Sequence, residues 1–263
     1  MASTILWQRE CPGYIETEVV NGVIQVTCYV DEEPQPTARV TDGLQVLYTF
    51  KEGTGGTVGD VSGVGTPLNL VVESEAAVSW KAGGGLVINS ATMLASAEAA
   101  TKVIEAVKAS NELTLEGWLT PANLTQAGPA RILTLSSDYH HRNCQLGQAE
   151  TLYDVQLRTT TTTVNGRPSL STAAGTLTTA LTHVVYTHAA SGLSRIYLNG
   201  DLSVEKQSEG DLTNWDDTYR LILANELIGS RSWQGEYYLI AVYARALSAE
   251  EVKQNLTAGT PGS

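Results

Sequence analysis

Apolar and polar residues alternate with a period of two along most of this chain, the pattern of half-buried β-strands. Leu44, Val46, Tyr48 and Phe50 form one such run. ELTLEGWLTP (112–121), ARILTLSS (130–137), THVVYTH (182–188), SRIYL (194–198) and LILANEL (221–227) predict further strands. TLYDVQLRTTTTTV (151–164) is read as a strand through Thr159–Thr163, turning at Asn165-Gly166. Near the N-terminus, YIETEVVNGVIQVTCYV centres on Asn21-Gly22, which predicts a hairpin with a type I′ turn. Paired positions then sum to 43, placing Val20 opposite Val23 and Cys28 opposite Ile15. In the last strand Tyr237, Leu239, Ala241 and Tyr243 are expected on one face and Tyr238, Ile240, Val242 and Ala244 on the other. Both sets are largely apolar, so both faces should be covered.

Helical spacing occurs twice. Ala99, Ala100, Val103, Ile104 and Val107 form one stripe in SAEAATKVIEAVKAS (96–110), with Ser96 as the expected N-cap. After Leu247, Ser248 and Glu251 have the spacing of a capping box, and Val252 and Leu256 share the following helical face. DEEPQPTA (31–38) reads as a polar, Pro-containing linker. The expected division is a hairpin extension and linker (1–37), a main domain (38–259) and a tail (260–263).

Several motifs recur in a familiar order. WQGEYYLIAVYARALSAEEVKQNLTAG (233–259) resembles the closing signature of laminin G-like jelly rolls in the concanavalin A-like group. Asp60-Val61-Ser62-Gly63 after a Gly-rich turn is similar to that family's opening signature. WKAGGGLVI (80–88), Gly117-Trp118, Tyr197-Leu198-Asn199-Gly200 and LILANEL fall between in the right order. The resemblance implies an all-β, concanavalin A-like β-sandwich jelly roll with one or two short helices, preceded by the hairpin. It also implies a fold that usually binds and only sometimes cuts. Many members of the family hold a structural calcium between the early Asp loop and an Asp in the closing strand. Asp60 matches the loop side, but Tyr238 occupies the closing-strand position. Asp216, Asp217 and Glu226 are the substitutes within reach of sequence reasoning.

Composition narrows the partners. The 263 residues carry 28 acidic against 16 basic side chains, a net charge of −12. Such a chain repels phosphate backbones, which argues against nucleic acid, and anionic membrane surfaces are disfavoured likewise. No segment approaches the ~20 apolar residues of a membrane span. The N-terminus, MASTILWQREC, lacks the basic start and apolar core of a secretory signal. The compartment is left open between the cell surface and a particle assembled in the cytoplasm. Cys11, Cys28 and Cys144 leave one thiol unpaired, and pairing Cys11 with Cys28 would need a register break. The Gly-rich run after Phe50 lacks the Lys and following helix of a phosphate cradle.

Candidate chemistry is sparse. A glycoside hydrolase needs two carboxylates across a cleft, and the evenly spaced pairs Glu16/Glu18, Glu73/Glu75 and Glu112/Glu116 lack the Glu-X-Asp-X-X-Glu run of hydrolases with this fold. His183 is expected to be structural. Asp138, His140, His141 and Cys144 cluster in sequence, yet adjacent histidines on a strand point apart. Glycan recognition commonly combines aromatic platforms with amides and carboxylates. Trp215, Asp216, Asp217 and Tyr219 in loop 210–220 form one such set. Tyr139, His141, Arg142 and Asn143 form the second. The expected function is non-catalytic binding or adhesion to a glycan or protein surface through sandwich-edge loops. The alternative is a structural or assembly subunit docking through its hairpin, at Ile15, Val20, Asn21, Gly22, Val23 and Val26. Glycoside hydrolysis is the remote third.

Overall fold

The structure is a computed structural model that describes residues 14–29, 38–126, 128–228 and 230–260. The chain divides into two compact units, Met1–Thr37 and Ala38–Ser263. In the first, β1 (Tyr14–Val20) and β2 (Val23–Tyr29) form an antiparallel hairpin. Asn21 and Gly22 adopt φ of 53° and 80°, the left-handed pair that a type I′ turn requires. Val20 pairs with Val23, Glu18 with Gln25 and Ile15 with Cys28. Cys11, the partner weighed for Cys28, lies outside the described residues.

The second unit contains β3 (Leu44–Tyr48), β4 (Thr57–Val58), β5 (Leu70–Val72), β6 (Val78–Trp80), β7 (Leu86–Ile88), β8 (Leu94–Ser96), β9 (Leu113–Pro121) and β10 (Ala130–Ser136). It continues with β11 (Arg142–Ala149), β12 (Leu152–Leu157), β13 (Leu170–Ser171), β14 (Thr182–His188), β15 (Leu193–Leu198), β16 (Asp201–Gln207), β17 (Arg220–Leu223) and β18 (Gly235–Tyr243). Helix α1 (Thr101–Ser110) follows β8 and α2 (Ala249–Ala258) follows β18. One antiparallel sheet runs β13-β12-β11-β10-β17-β8-β5-β4. The other runs β16-β15-β14-β9-β18-β7-β6, with β3 also paired to β18. This is the expected β-sandwich. No helix among the described residues is long and apolar enough to cross a membrane.

The main core lies between the sheets, where Val46, Tyr48, Leu115, Leu133, Leu146, Val184 and Ile240 meet. A second cluster covers the outer face of the β9–β18 sheet. There Val40, Leu247 and Val252 pack over Val185, Leu239, Ala241 and Tyr243. Helix α2 begins at the predicted capping box: Glu251 N donates to Ser248 Oγ at 3.2 Å and Ser248 N donates to the Glu251 carboxylate at 2.8 Å.

Five sequence expectations change. In LILANEL (221–227) the strand is shorter than predicted, since β17 stops at Leu223. Tyr238 is an extra residue between Tyr237 and Leu239 opposite β9. This bulge moves Tyr237 into the inner core with Ile240 and Val242, while Leu239, Ala241 and Tyr243 face outward. The skipped residue Gln45 likewise sends Leu44 to the outer cluster. Helix α1 starts at Thr101, because Leu94–Ser96 joins the sheet beside β5 and β17; Ser96 is a strand residue whose Oγ accepts from Leu221 N at 3.1 Å. Thr159–Thr163 form a loop, since β12 stops at Leu157. The hydroxyls of Thr159 and Thr161 donate to Glu209 O at 2.9 and 2.8 Å, local bonds that compete with strand pairing.

Candidate functional site

Three adjacent strands, β10, β11 and β12, present alternating apolar and polar residues. Leu135, Cys144, Leu146, Tyr153 and Val155 enter the core. The intervening side chains Arg131, Ser136, Gln145, Asp154 and Gln156 form a polar layer on the opposite face, each at most 7% exposed. Buried polar groups require partners. Arg131 Nε donates to Glu226 Oε2 at 2.8 Å, and Ser136 Oγ bonds the other oxygen of that carboxylate. Asp154 accepts from Ser171 Oγ at 2.8 Å and from Gln156 Nε2 at 3.1 Å.

Arg142 lies at the start of β11, paired in register with Ser136, and is only 2% exposed. Its guanidinium bonds the Gln156 side chain and the backbone oxygens of Tyr139 and Asn165. None of these is a carboxylate, and Nε has no hydrogen-bond partner. Burial, reinforced by the neighbouring charges of Arg131 and Arg167, pushes its pKa down to about 10. A pocket of ≈ 210 Å³ opens here, lined by Arg131, Arg142, Arg167, Arg231, Tyr139 and His140 among others. Arg231 stands over the Tyr139 ring, 5.7 Å from its centroid. Tyr139 is 39% exposed and leans on His140, with ring centroids 3.9 Å apart. The arginines that form ion pairs are Arg39, Arg131, Arg195 and Arg245. Arg142, Arg167 and Arg231 have no ion-pair partner among the described residues.

The two predicted loops do meet. Asn143 Nδ2 donates to Asp216 O at 2.9 Å and Asp216 N donates to Asn143 Oδ1 at 2.8 Å. That junction consumes the Asn143 amide. Trp215 is a core anchor, 2% exposed, with Nε1 donating to Arg158 O at 2.9 Å. Tyr219 is also in the core. Neither offers a ring face for a ligand, because loop 210–220 is held by packing its two aromatics inward. Asp216 Oδ1 accepts from Thr218 N at 2.9 Å, and Asp217 pairs with Lys108 at 2.9 Å. His141 is bound to Asp138 at 2.9 Å. Of the eight candidates, Tyr139 and Arg142 line the pocket. Arg131, Arg167 and Arg231 were missed, since they come from separate segments, and His140, weighed in the sequence only beside Asp138, His141 and Cys144, joins the same lining. The available signal was the polar alternation of 130–136 and 142–157, which marks a second, polar sheet face.

The inherited calcium site does not fit these residues. Asp60 Oδ1 accepts from Leu47 N at 3.1 Å and Ser62 N at 3.0 Å. Oδ2 accepts from Leu68 N at 3.0 Å and Lys102 Nζ at 2.5 Å. The same ammonium donates to Val64 O at 2.8 Å, so a positive charge already occupies the space beside Asp60 Oδ2. Burial alone would raise the Asp60 pKa, but these backbone donors and Lys102 hold it below its ordinary value. Tyr238 is engaged by Lys81 at 2.6 Å and by Glu236. Glu226, Asp216 and Asp217 are committed as described above. Among the described residues, no three His, Cys, Asp or Glu side chains converge as a metal site. Cys144 is a core residue.

Solved structures with this arrangement include botulinum neurotoxin type C, whose cell entry depends on two ganglioside molecules. It is 13% identical with a TM-score of 0.60, the match covering 83% of this chain and 52% of that one. The binding domain of botulinum neurotoxin DC, in complex with rat synaptotagmin II, matches with the same values: 13% identity, TM-score 0.60, 83% and 52%. Trypanosoma rangeli sialidase, in complex with sialic acid, is 16% identical with a TM-score of 0.60, covering 84% of this chain and 34% of that one. This chain therefore spans about half the length of the toxin chains it matches, and at such identities the likeness is one of fold. No curated protein matches it in sequence. The family model of the concanavalin A-like lectin/glucanases superfamily matches residues 95–253. With the jelly-roll sandwich already established, that match places the chain: it belongs to the concanavalin A-like lectin/glucanases superfamily.

Proposed function

We propose that this chain is a non-catalytic binding module whose ligand, a glycan, seats in the arginine-lined pocket beside Tyr139. The observation that carries this is Arg142, a buried guanidinium with no carboxylate partner at the edge of a solvent-open concavity. A rigid sheet supplies Arg131 and Arg142, while the neighbouring loops supply Tyr139, Arg167 and Arg231. A protein surface is the other ligand class the fold accommodates. The pocket's small size and polar lining favour a glycan, since protein interfaces are built around ~800 Å² per partner with an apolar centre. The carboxylates also support binding over hydrolysis. Glu116, the β9 member of the evenly spaced pair Glu112/Glu116, is ionised and locked to Arg39 and His183. A general acid needs a raised pKa, and burial of Glu116 is outweighed by Arg39, leaving it lowered to about 2. The test is a glycan array probed with the wild type and Tyr139→Ala. Glycan signals that Tyr139→Ala abolishes are expected; an array blank for the folded wild type sinks the reading. Release of sugar from any bound glycan would instead make the chain an enzyme.

A second reading, assembly through the hairpin, rests on its surface. Val19, Val23 and Ile24 are 70%, 62% and 56% exposed, and Val20 is 38% exposed. Val26 is half-buried, and for Ile15 the structure describes the backbone pairing with Cys28. Two-stranded sheets are marginal alone in water, so exposed valines on one favour a partner. Light scattering of the full chain against residues 38–263 tests it: association of the full chain alone supports assembly, and two monomers reject it.

A further inference from the structure

The binding reading leaves open what the glycan must carry. Resting on that reading, we propose that the pocket recognises the carboxylate of a terminal acidic sugar, a sialic or a uronic acid. Three guanidinium groups without ion-pair partners among the described residues, Arg142, Arg167 and Arg231, line one small pocket of a chain whose net charge is −12. At physiological salt, fields fade over ~8 Å. A docked group therefore feels these arginines rather than the acidic surface as a whole.

The carboxylates already near the pocket are committed to partners other than Arg142, Arg167 and Arg231. Glu226 is bound to Arg131 and Ser136, and Asp154 to Ser171, Gln145 and Gln156. No lysine lines the pocket. The planar, forked guanidinium matches a carboxylate through paired hydrogen bonds, where a lysine offers only a point charge. The pocket volume, ≈ 210 Å³, is below the ~300 Å³ at which whole small ligands are enclosed. It therefore holds one end of a chain, which selects a terminal residue. The exposed Tyr139 ring gives the C–H face of that sugar a surface, and Arg231 already over this ring is placed to reach its carboxylate.

The experiment is calorimetric titration of the full chain with 3′-sialyllactose, with a disaccharide ending in glucuronic acid, and with lactose as the neutral control. Arg167→Gln and Arg231→Gln are tested beside Arg195→Gln, a charge-matched change at a surface ion pair with Glu205. Both pocket residues are outside the core, so these variants should fold, which circular dichroism checks. At least one acidic saccharide is expected to bind ten-fold or more tightly than lactose. Each pocket variant should lose five-fold or more, Arg195→Gln should lose nothing, and affinity should fall as salt rises. The two acidic probes tell sialic from uronic acid. Equal affinity for acidic and neutral sugars, with loss on Tyr139→Ala, overturns the carboxylate inference while glycan binding stands. Absence of binding by all three sugars overturns the inference, and a blank glycan array then takes the underlying reading with it.

Discussion

Glu116 is fully buried and holds four partners at once: the Arg39 guanidinium, His183 Nε2 at 2.8 Å, Asn255 Nδ2 at 2.8 Å and the Tyr243 hydroxyl at 3.3 Å. It fastens the start of the second unit, through Arg39, and helix α2, through Asn255, to the centre of β9. Glu116→Ala should lower the unfolding free energy by about 3–5 kcal/mol, because it strands a partly buried charge; urea titration reads this directly. The Glu116 pKa is lowered to about 2 from an ordinary 4.5, with burial opposing and Arg39 and His183 prevailing. The unfolded carboxyl therefore binds its proton first. The stabilisation, about 3 kcal/mol, is complete above pH 4.5 and is lost as pH falls through 2. His188 acts in a higher window. Its Nδ1 lies 2.8 Å from Ser194 Oγ, which itself accepts from Tyr186. Ser194 can thus donate to a neutral imidazole. Burial brings the His188 pKa down to about 4 from 6.5. The unfolded imidazole takes the proton between those values, so stability is complete above pH 6.5 and declines by about 3 kcal/mol towards pH 4. His188→Gln should flatten urea midpoints between pH 6.5 and 4.5 and leave the acid limb of Glu116 intact. Asp60 gives a metal prediction at the same scale. Millimolar calcium should leave the thermal midpoint unchanged, whereas Lys102→Ala should lower it by removing the cation from a carboxylate buried to 0% side-chain exposure.

Elements were legible where the local signal and the tertiary demand agreed. Asn21-Gly22 and Asn199-Gly200 each place two consecutive residues at positive φ, and the chemistry of that turn is contained in two residues. The capping box of α2 is equally local. Ser248→Ala should cost about 1 kcal/mol, seen as a lower urea midpoint with an unchanged slope, since α2 covers one face of a sheet whose other face is already packed. Elements went astray where a neighbouring strand decided. Ser96, expected as the N-cap of the first helix, is instead a strand residue because β5 and β17 pair with Leu94–Ser96 on either side. The bulge at Tyr238 inverts the facing of everything after it in β18, and it exists only relative to β9. Five threonines have strand propensity, but Glu209 O draws two of their hydroxyls into a loop.

At the scale of the whole molecule, the second unit has its own inter-sheet core and its own covering helix. Residues 38–263 should therefore unfold cooperatively on their own, with a chemical-denaturation midpoint close to that of the full chain; circular dichroism through a urea series checks it. A midpoint far below would mean that the first unit contributes to the core. Local patterning carries the all-β class, the hairpin register and the closing capped helix. Each of these is written in contiguous residues, where periodicity and turn chemistry act within a few positions. It also marked Tyr139 and Arg142. Long-range packing alone turns Trp215 and Tyr219 into the core and pairs Lys102 with Asp60. It alone gathered Arg131, Arg142, Arg167 and Arg231 around one pocket. The reason is physical: burial and charge pairing are settled between segments far apart along the chain, and the strands that carry them become neighbours only when the sheet closes.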